Sequence, residues 1–333
     1  MKKASNLTYS KLLLLAMLLM CMACKAHADS SLLFLETQMV SGYSWKNSKM
    51  IFYSQDPQDV MQKPSIGFDY LRKLSSGTGD WGTFAMQARL AYSQDDAAKI
   101  QPQLYNAYLK YKVDFSDIWV GHNRPALGLS SYFDSHGLLM PTLSMMGFGF
   151  DRDWGAGFYK ESEKGSVAAT LTTGSGMPFI ERGNYLASLR QSKGILAVDN
   201  YNFGISIAYG KVMDTMGYEL MSPDPKETLM FGMDYTNLFE SFENRVDIMV
   251  GSDDKKPKGA LLYRWGMNLL EENRLKIELQ PVYVYANNTG DIRLDLGASF
   301  AINSSLSFRA MYENTTATGG QKIVFQLYSY YNM

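Results

Sequence analysis

The chain has 333 residues, 46% of them hydrophobic and 20% charged. That balance belongs to a folded domain and excludes bulk disorder. A formal net charge of −1 excludes the strongly basic surface that nucleic acid selects, so no nucleic-acid partner is expected.

Lys2, Lys3 and Lys11 precede the apolar run "LLLLAMLLMCMA" at 12–23, which is too short to span a bilayer as a helix. Ala26 and Ala28 follow and fit the small-residue rule for cleavage. The pattern predicts a signal peptide over 1–28 and one domain over 29–333. Processing before Cys24, which would leave a lipid there, is an alternative, as is an uncleaved anchor. Cleavage after Ala28 removes Cys21, Cys24 and four lysines. It leaves 28 basic against 33 acidic residues and no cysteine. An exported chain of this size must then hold together without disulfides.

From residue 31 onward the chain alternates apolar and polar residues, the period of a strand with two unlike faces. The first segment, 31–46, sets Leu33, Leu35, Thr37, Met39, Tyr43 and Trp45 against Glu36, Gln38, Ser44 and Lys46. Less regular strands are expected near 65–75, 116–122, 152–162, 166–174, 184–192 and 228–237. Clear ones lie at 83–92, 104–113, 203–210, 244–251, 259–269, 274–286, 291–302, 305–313 and 322–333. In 104–113 the apolar list is Tyr105, Ala107, Leu109, Tyr111 and Val113. In 274–286, Arg274, Lys276, Glu278 and Gln280 alternate with Leu275, Ile277 and Leu279, and then Val282 and Val284 break the polar list. The expected total is about 16 strands, within 14–18. No run of about 18 apolar residues follows the leader, and no sustained helical spacing appears.

Short connectors alternate with longer ones at 47–64, 94–102, 123–151, 213–226 and 252–258. Many strands keep their alternation for about 9–12 residues, the span of a tilted strand across a bilayer rather than that of a soluble sandwich. Tyr43, Trp45, Tyr92, Tyr209, Tyr283, Tyr285 and Tyr312 gather at the ends that an up-and-down meander sends outward, as an interfacial girdle would. In hydrocarbon every backbone N–H and C=O must be paired, so such a sheet has to close. These features predict an all-β, transmembrane, antiparallel up-and-down β-barrel in the bacterial outer membrane, with lipid outside and water inside.

Chemistry is sparse. Ser130, Ser131, Asp134 and Ser135 near His122 and His136 carry no spacing that sets a nucleophile beside a base, so a hydrolase is the lesser reading and no enzyme is expected. No metal-type His/Cys cluster occurs, and no cofactor is expected. Lumen-facing basic candidates are Lys46, Arg89, Lys110, Lys112, Arg190, Arg245, Arg264, Arg274, Lys276, Arg293, Arg309 and Lys322. The acidic ones are Glu36, Asp69, Asp234, Asp247, Glu278, Asp295 and Glu313. A basic excess on the wall favours anions in a narrow pore, unless these charges pair across strands.

The long segment 123–151 falls between the fifth and sixth strands, as the third outer loop. Arg124, Asp134 and His136 are its candidate constriction residues. "IWVGHNRPALGL" before it and "DRDWGAGFYKE" after it resemble the phosphate-selective porin O/P family over about a fifth of the chain. The resemblance implies a porin whose third loop narrows the pore, and a homotrimer. That family's basic ladder has no counterpart that can be placed residue by residue here. The expected function is passive diffusion of small hydrophilic or anionic solutes. A plugged barrel serving structure, adhesion or export is the alternative.

Overall fold

The computed structural model describes residues 30–52, 62–77, 79–94, 98–134, 136–316 and 320–333. The predicted leader and its cleavage point lie outside these. The strands are β1 (Ser31–Ser44), β2 (Lys49–Ile51), β3 (Ser65–Ser76), β4 (Gly79–Tyr92), β5 (Ile100–Val113), β6 (Ser116–Asn123), β7 (Asp153–Ser162), β8 (Gly165–Thr172) and β9 (Tyr185–Lys193). They continue with β10 (Tyr201–Met216), β11 (Glu219–Phe239), β12 (Phe242–Asp253), β13 (Lys256–Leu269), β14 (Leu275–Ala286), β15 (Thr289–Ala301), β16 (Leu306–Thr315) and β17 (Gly320–Asn332).

From β3 onward each strand pairs antiparallel with the next. β17 returns to β1, from Phe34 opposite Asn332 to Ser44 opposite Lys322, and the sheet closes. β2 and β3 lie on the same flank of β1, β2 at its far end and β3 at its near end. They are two pieces of one stave, separated in the chain by residues 52–64. The result is a closed antiparallel barrel of 16 staves, as the alternation predicted.

The faces follow the two-residue period. On β1, Met39 is 69% exposed on the outside while its neighbour Val40 is 3% exposed inside. Outward residues such as Ile66, Leu90, Val120, Leu171, Ile205, Phe231 and Val250 form the apolar band. Trp45 packs edge-on against Tyr43 and Tyr312 in the outer girdle. A second group at the other rim, which the sequence reading did not single out, includes Trp81 against Tyr111 and Phe242 against Trp265.

Two expectations are corrected. The segment 213–226, expected as a loop, belongs largely to the hairpin of β10 and β11, which turns tightly at Gly217 and Tyr218. The segment 252–258 is likewise a tight hairpin, closed by Asp254 and Lys255 in left-handed backbone conformations. The apolar link at 193–201 contains a single helical turn, α1 (Leu196–Asp199).

A third correction shapes the interior. Tyr105, read as lipid-facing, is fully buried inside the barrel. The pairing of β4 with β5 skips it: Gln87 faces Asn106 and Ala88 faces Leu104. The extra residue is a β-bulge, which leaves one residue unpaired and re-aims its side chain.

Candidate functional site

The site is the lumen and the loop that enters it. Near the end of β6, Gly121 has a φ of +128°, a conformation that favours glycine. The chain then turns inward through residues 124–152. Two short 3₁₀ turns, Leu129–Ser131 and Leu143–Met146, order its interior. Gly128, at a φ of +55°, bonds through its N–H to Ser206 Oγ on β10 at 3.2 Å. Its left-handed backbone favours glycine, and a Cβ there would press on the flexible end of Met249 and lie 3.0 Å from Asp247 Oδ1 on the wall.

Apolar side chains hold the loop on two sides of the lumen. Leu127, Leu143, Met146 and Phe148 pack on Leu186, Ala208, Met230, Met249, Leu262 and Val282, which face inward from β9 to β14. Leu139 and Met140 pack on Val40, Ile51, Met311 and Val324, carried by β1, β2, β16 and β17. The loop therefore crosses the interior. Inward-facing apolar residues on an otherwise polar wall are its docking strip.

A polar cluster fixes the strand end of the loop. Arg152 is buried, with its Nε donating to Asn106 Oδ1 at 2.8 Å and its guanidinium 4.2 Å above the Tyr105 ring. Tyr105 donates its hydroxyl proton to Asp151 Oδ2 at 2.7 Å. Asp134 accepts from Arg124 at 2.6 Å and lies 3.5 Å from Arg152. Burial works to raise the Asp134 carboxyl, but the Arg152 and Arg124 guanidiniums outweigh it and hold the group well below the usual carboxylate range. The Asp134 side chain keeps 53% of its surface in solvent, so water screens these attractions. His136 lies 4.2 Å from Tyr105, centroid to centroid, and its Nε2 is 2.7 Å from Glu36 Oε1 on β1.

The middle of the loop lies over arginines of the wall. The Tyr132 ring sits 4.6 Å from the Arg190 guanidinium, and its hydroxyl shares a 2.7 Å hydrogen bond with Thr236. The Phe133 ring sits 4.1 Å from Arg245 and 5.1 Å from Arg264. Such contacts add about 0.5–2 kcal/mol each, toward the upper end when water is excluded.

The basic candidates separate by partner. Arg190 meets Asp234 at 2.6 Å, and Arg245 meets Glu243 at 2.6 Å. Lys276 lies between Glu243 and Glu278, at 3.2 and 3.1 Å. Arg293 lies between Asp295 and Glu313, and Lys322 also reaches Glu313. Arg89 reaches Glu36 at 3.9 Å and donates to Gln103. Lys110 meets Asp117 at 3.1 Å, and Lys112 is exposed near the end of β5. Lys46 sits in the turn after β1, and Arg274 bonds to the carbonyls of Ala301 and Ile302 just before β14. Both stand at the rims, outside the stretch of wall that meets the loop. Arg264 and Arg309 lie beside the loop and bond to it rather than to a carboxylate. Arg264 donates to Gln280 and to the loop carbonyls of Met140 and Pro141. Arg309 donates to Gln326 and to the Gly137 carbonyl.

Tyr105, Tyr132, Phe133 and Arg152 are the site residues that sequence reasoning missed. Ser130 and His136 are not brought together: Ser130 bonds to Ser144, and His136 to Glu36. Among the described residues no cluster of His, Cys, Asp or Glu is suited to hold a metal.

No protein-family model and no curated protein matches this chain. Solved outer-membrane barrels do match its fold. The trimer form of in-vitro folded OmpT, an outer membrane protein of Vibrio cholerae, superposes with a TM-score of 0.62 at 11% identity, covering 92% of this chain and 100% of that one. Salmonella typhi OmpF in complex with daunomycin gives 0.63 at 8%, covering 91% and 98%. A porin structure gives 0.56 at 9%, covering 91% and 100%. At these identities the likeness establishes the fold, and the chain is a multi-pass outer-membrane β-barrel.

Proposed function

We propose that the barrel is a porin-like channel for passive diffusion of small hydrophilic solutes, with the loop at 123–151 as its constriction. The observation that carries this reading is the path of that loop. It bonds to β1 through His136 and to the opposite wall through Tyr132 and Phe133. A solute passing between the rims must go by it. The protein is then a conduit and not a hydrolase.

Anion preference is part of the proposal and rests on two residues. Most wall cations are neutralised by carboxylates at contact distance. Arg264 and Arg309 instead bond to amides and carbonyls beside the loop, and the carboxylates that act on them, Glu278 above all, lie beyond contact distance, so their charge is less fully offset. A residual positive charge in a narrow section favours anions. The resemblance at 118–129 and 151–161 to the phosphate-selective O/P family supports a porin and no solute class, because that family's basic ladder cannot be placed here. A homotrimer is proposed from the same resemblance and from the trimer form of the Vibrio cholerae OmpT structure. Its partners are then two further copies and outer-membrane lipid.

The burial of Asp234, Asp247, Gln280 and Asp295 to zero exposure favours a second reading, a barrel filled by its own loops that serves adhesion or export. Swelling of proteoliposomes in sugars of graded size separates the two. Entry of small sugars that grows when the loop is shortened supports the channel. No entry in either form supports the plug.

A further inference from the structure

β10 and β11 outgrow the sheet that holds them. β9 stops pairing with β10 at Lys211, and β12 begins pairing with β11 at Thr228. Residues 212–227 are therefore a two-stranded ribbon with no strand on either flank. Its ladder is interrupted near its base. Val212 faces Lys226 and Asp214 faces Ser222, so Met213 stands against Pro223, Asp224 and Pro225. Proline has no N–H to give to a ladder, and a bulge bends the strand that carries it.

The bend lays the ribbon over the mouth. At its tip, Tyr218 donates to the Leu104 carbonyl on β5 at 2.8 Å, although β5 is five staves from β10. The Tyr218 ring packs with Tyr105, Met145 and Met177. Beneath the tip lies a small cavity that Met216 and Gly217 share with Asp151 and Arg152 of the inward loop. The neighbouring outer loop, 173–184, holds the flank. Gly174 O accepts from Met213 N at 2.7 Å, Ser175 O accepts from Thr215 Oγ1 at 3.0 Å, and Arg182 donates to Pro223 O at 2.7 Å.

We propose that this ribbon is a hinged lid. It swings about Met213 and the Pro223–Pro225 bulge, is closed when Tyr218 meets Leu104, and controls access from outside to the constriction. The proposal deepens the channel reading and rests on it. A ribbon supported by strands on both flanks would be part of the wall. This one has no strand beside it and is held by hydrogen bonds to loops, one to a distant strand and the packing of Tyr218 at its tip, so it can part from the barrel as a unit without breaking the sheet.

The test is single-channel recording on the full-length protein with two variants. The first is Tyr218→Phe, which removes only the tip hydrogen bond. The second is the pair Gly176→Cys and Thr215→Cys. A Cβ placed on Gly176 lies 3.2 Å from Thr215 Oγ1, within reach of a disulfide. Cys21 and Cys24, which lie in the predicted leader, are replaced by Ser in this variant, so that the engineered pair is the one disulfide the protein can form. Gly176 has a φ of +70°, where cysteine is strained, so oxidised and reduced forms of the same preparation are compared. Expected are lower conductance when oxidised, recovery on reduction, and an open fraction raised about threefold to tenfold in Tyr218→Phe. Equal conductance of oxidised and reduced forms, with Tyr218→Phe behaving as wild type, overturns the lid and leaves the channel standing. Silence of every form, wild type included, removes the channel reading and the lid with it.

Discussion

His136 Nε2 lies 2.7 Å from Glu36 Oε1, so a loop that leaves the barrel between its fifth and sixth staves is bonded to its first. Glu36 is 1% exposed and also receives Gln87 Nε2 at 3.3 Å. The contact works in both directions. The histidine fixes the loop across the lumen, and the loop covers a carboxylate that would otherwise need water. Replacing His136 with Ala should cost about 1–3 kcal/mol, the penalty for a buried charged group that loses a partner. The loop should then fluctuate, and channel recordings should show more current noise. Equilibrium unfolding and single-channel traces on the same variant check both parts.

Asp134 gives a pH dependence with a definite sign. Its two arginine partners hold its carboxyl below the ordinary range. A depressed acid contributes stability that is fully present above the unfolded value, near pH 3.9, and is lost as pH falls through the folded value. The stability gap between wild type and Asp134→Asn should therefore stay constant from about pH 8 to about pH 5 and close only in strong acid. Hydrogen exchange of the loop amides across that range measures it. A gap that closes near pH 6 would assign the anchoring to a histidine instead.

Phe133 docks the loop by stacking on Arg245 and Arg264. Phe133→Leu keeps the bulk but loses the ring. It should weaken docking by about 0.5–2 kcal/mol and leave the barrel folded. Faster exchange confined to residues 129–146, with unchanged heat-modifiability on gels, is the expected signature. A collapse of the whole barrel would mean that the loop is integral to the fold.

Selectivity should follow the cations without carboxylate partners. Arg309→Gln keeps a polar side chain beside Gly137 and Gln326 and removes the charge. The reversal potential in a salt gradient should move toward cation preference. Lys276→Gln, which removes a charge already balanced by Glu243 and Glu278, should move it less. The reverse ranking would contradict the charge assignment.

The barrel was legible because its cause is a two-residue period imposed by lipid on one side and polar groups on the other. Strand count, closure and the position of the third outer loop follow from that period. The same stretch shows where the reading stops. Val282 and Val284 interrupt the polar list of their strand, and the sequence alone gives no reason. Val282 is part of the apolar strip beneath the loop, and Val284 packs beside it. The residues missed in the site share one difficulty. Tyr105 is turned inward by a bulge that one unpaired residue creates, and no residue type announces it. The ribbon at 212–227 reads as a loop because Gly217, Pro223 and Pro225 carry turn chemistry. Its pairing is a long-range fact that local preference cannot supply.

The most direct measurement is the single-channel conductance of the purified protein in planar bilayers, beside a variant in which residues 127–148 are replaced by a short linker. The account predicts small, discrete openings for the wild type and larger ones for the shortened form. Two silent proteins, or two proteins with the same current, would contradict it.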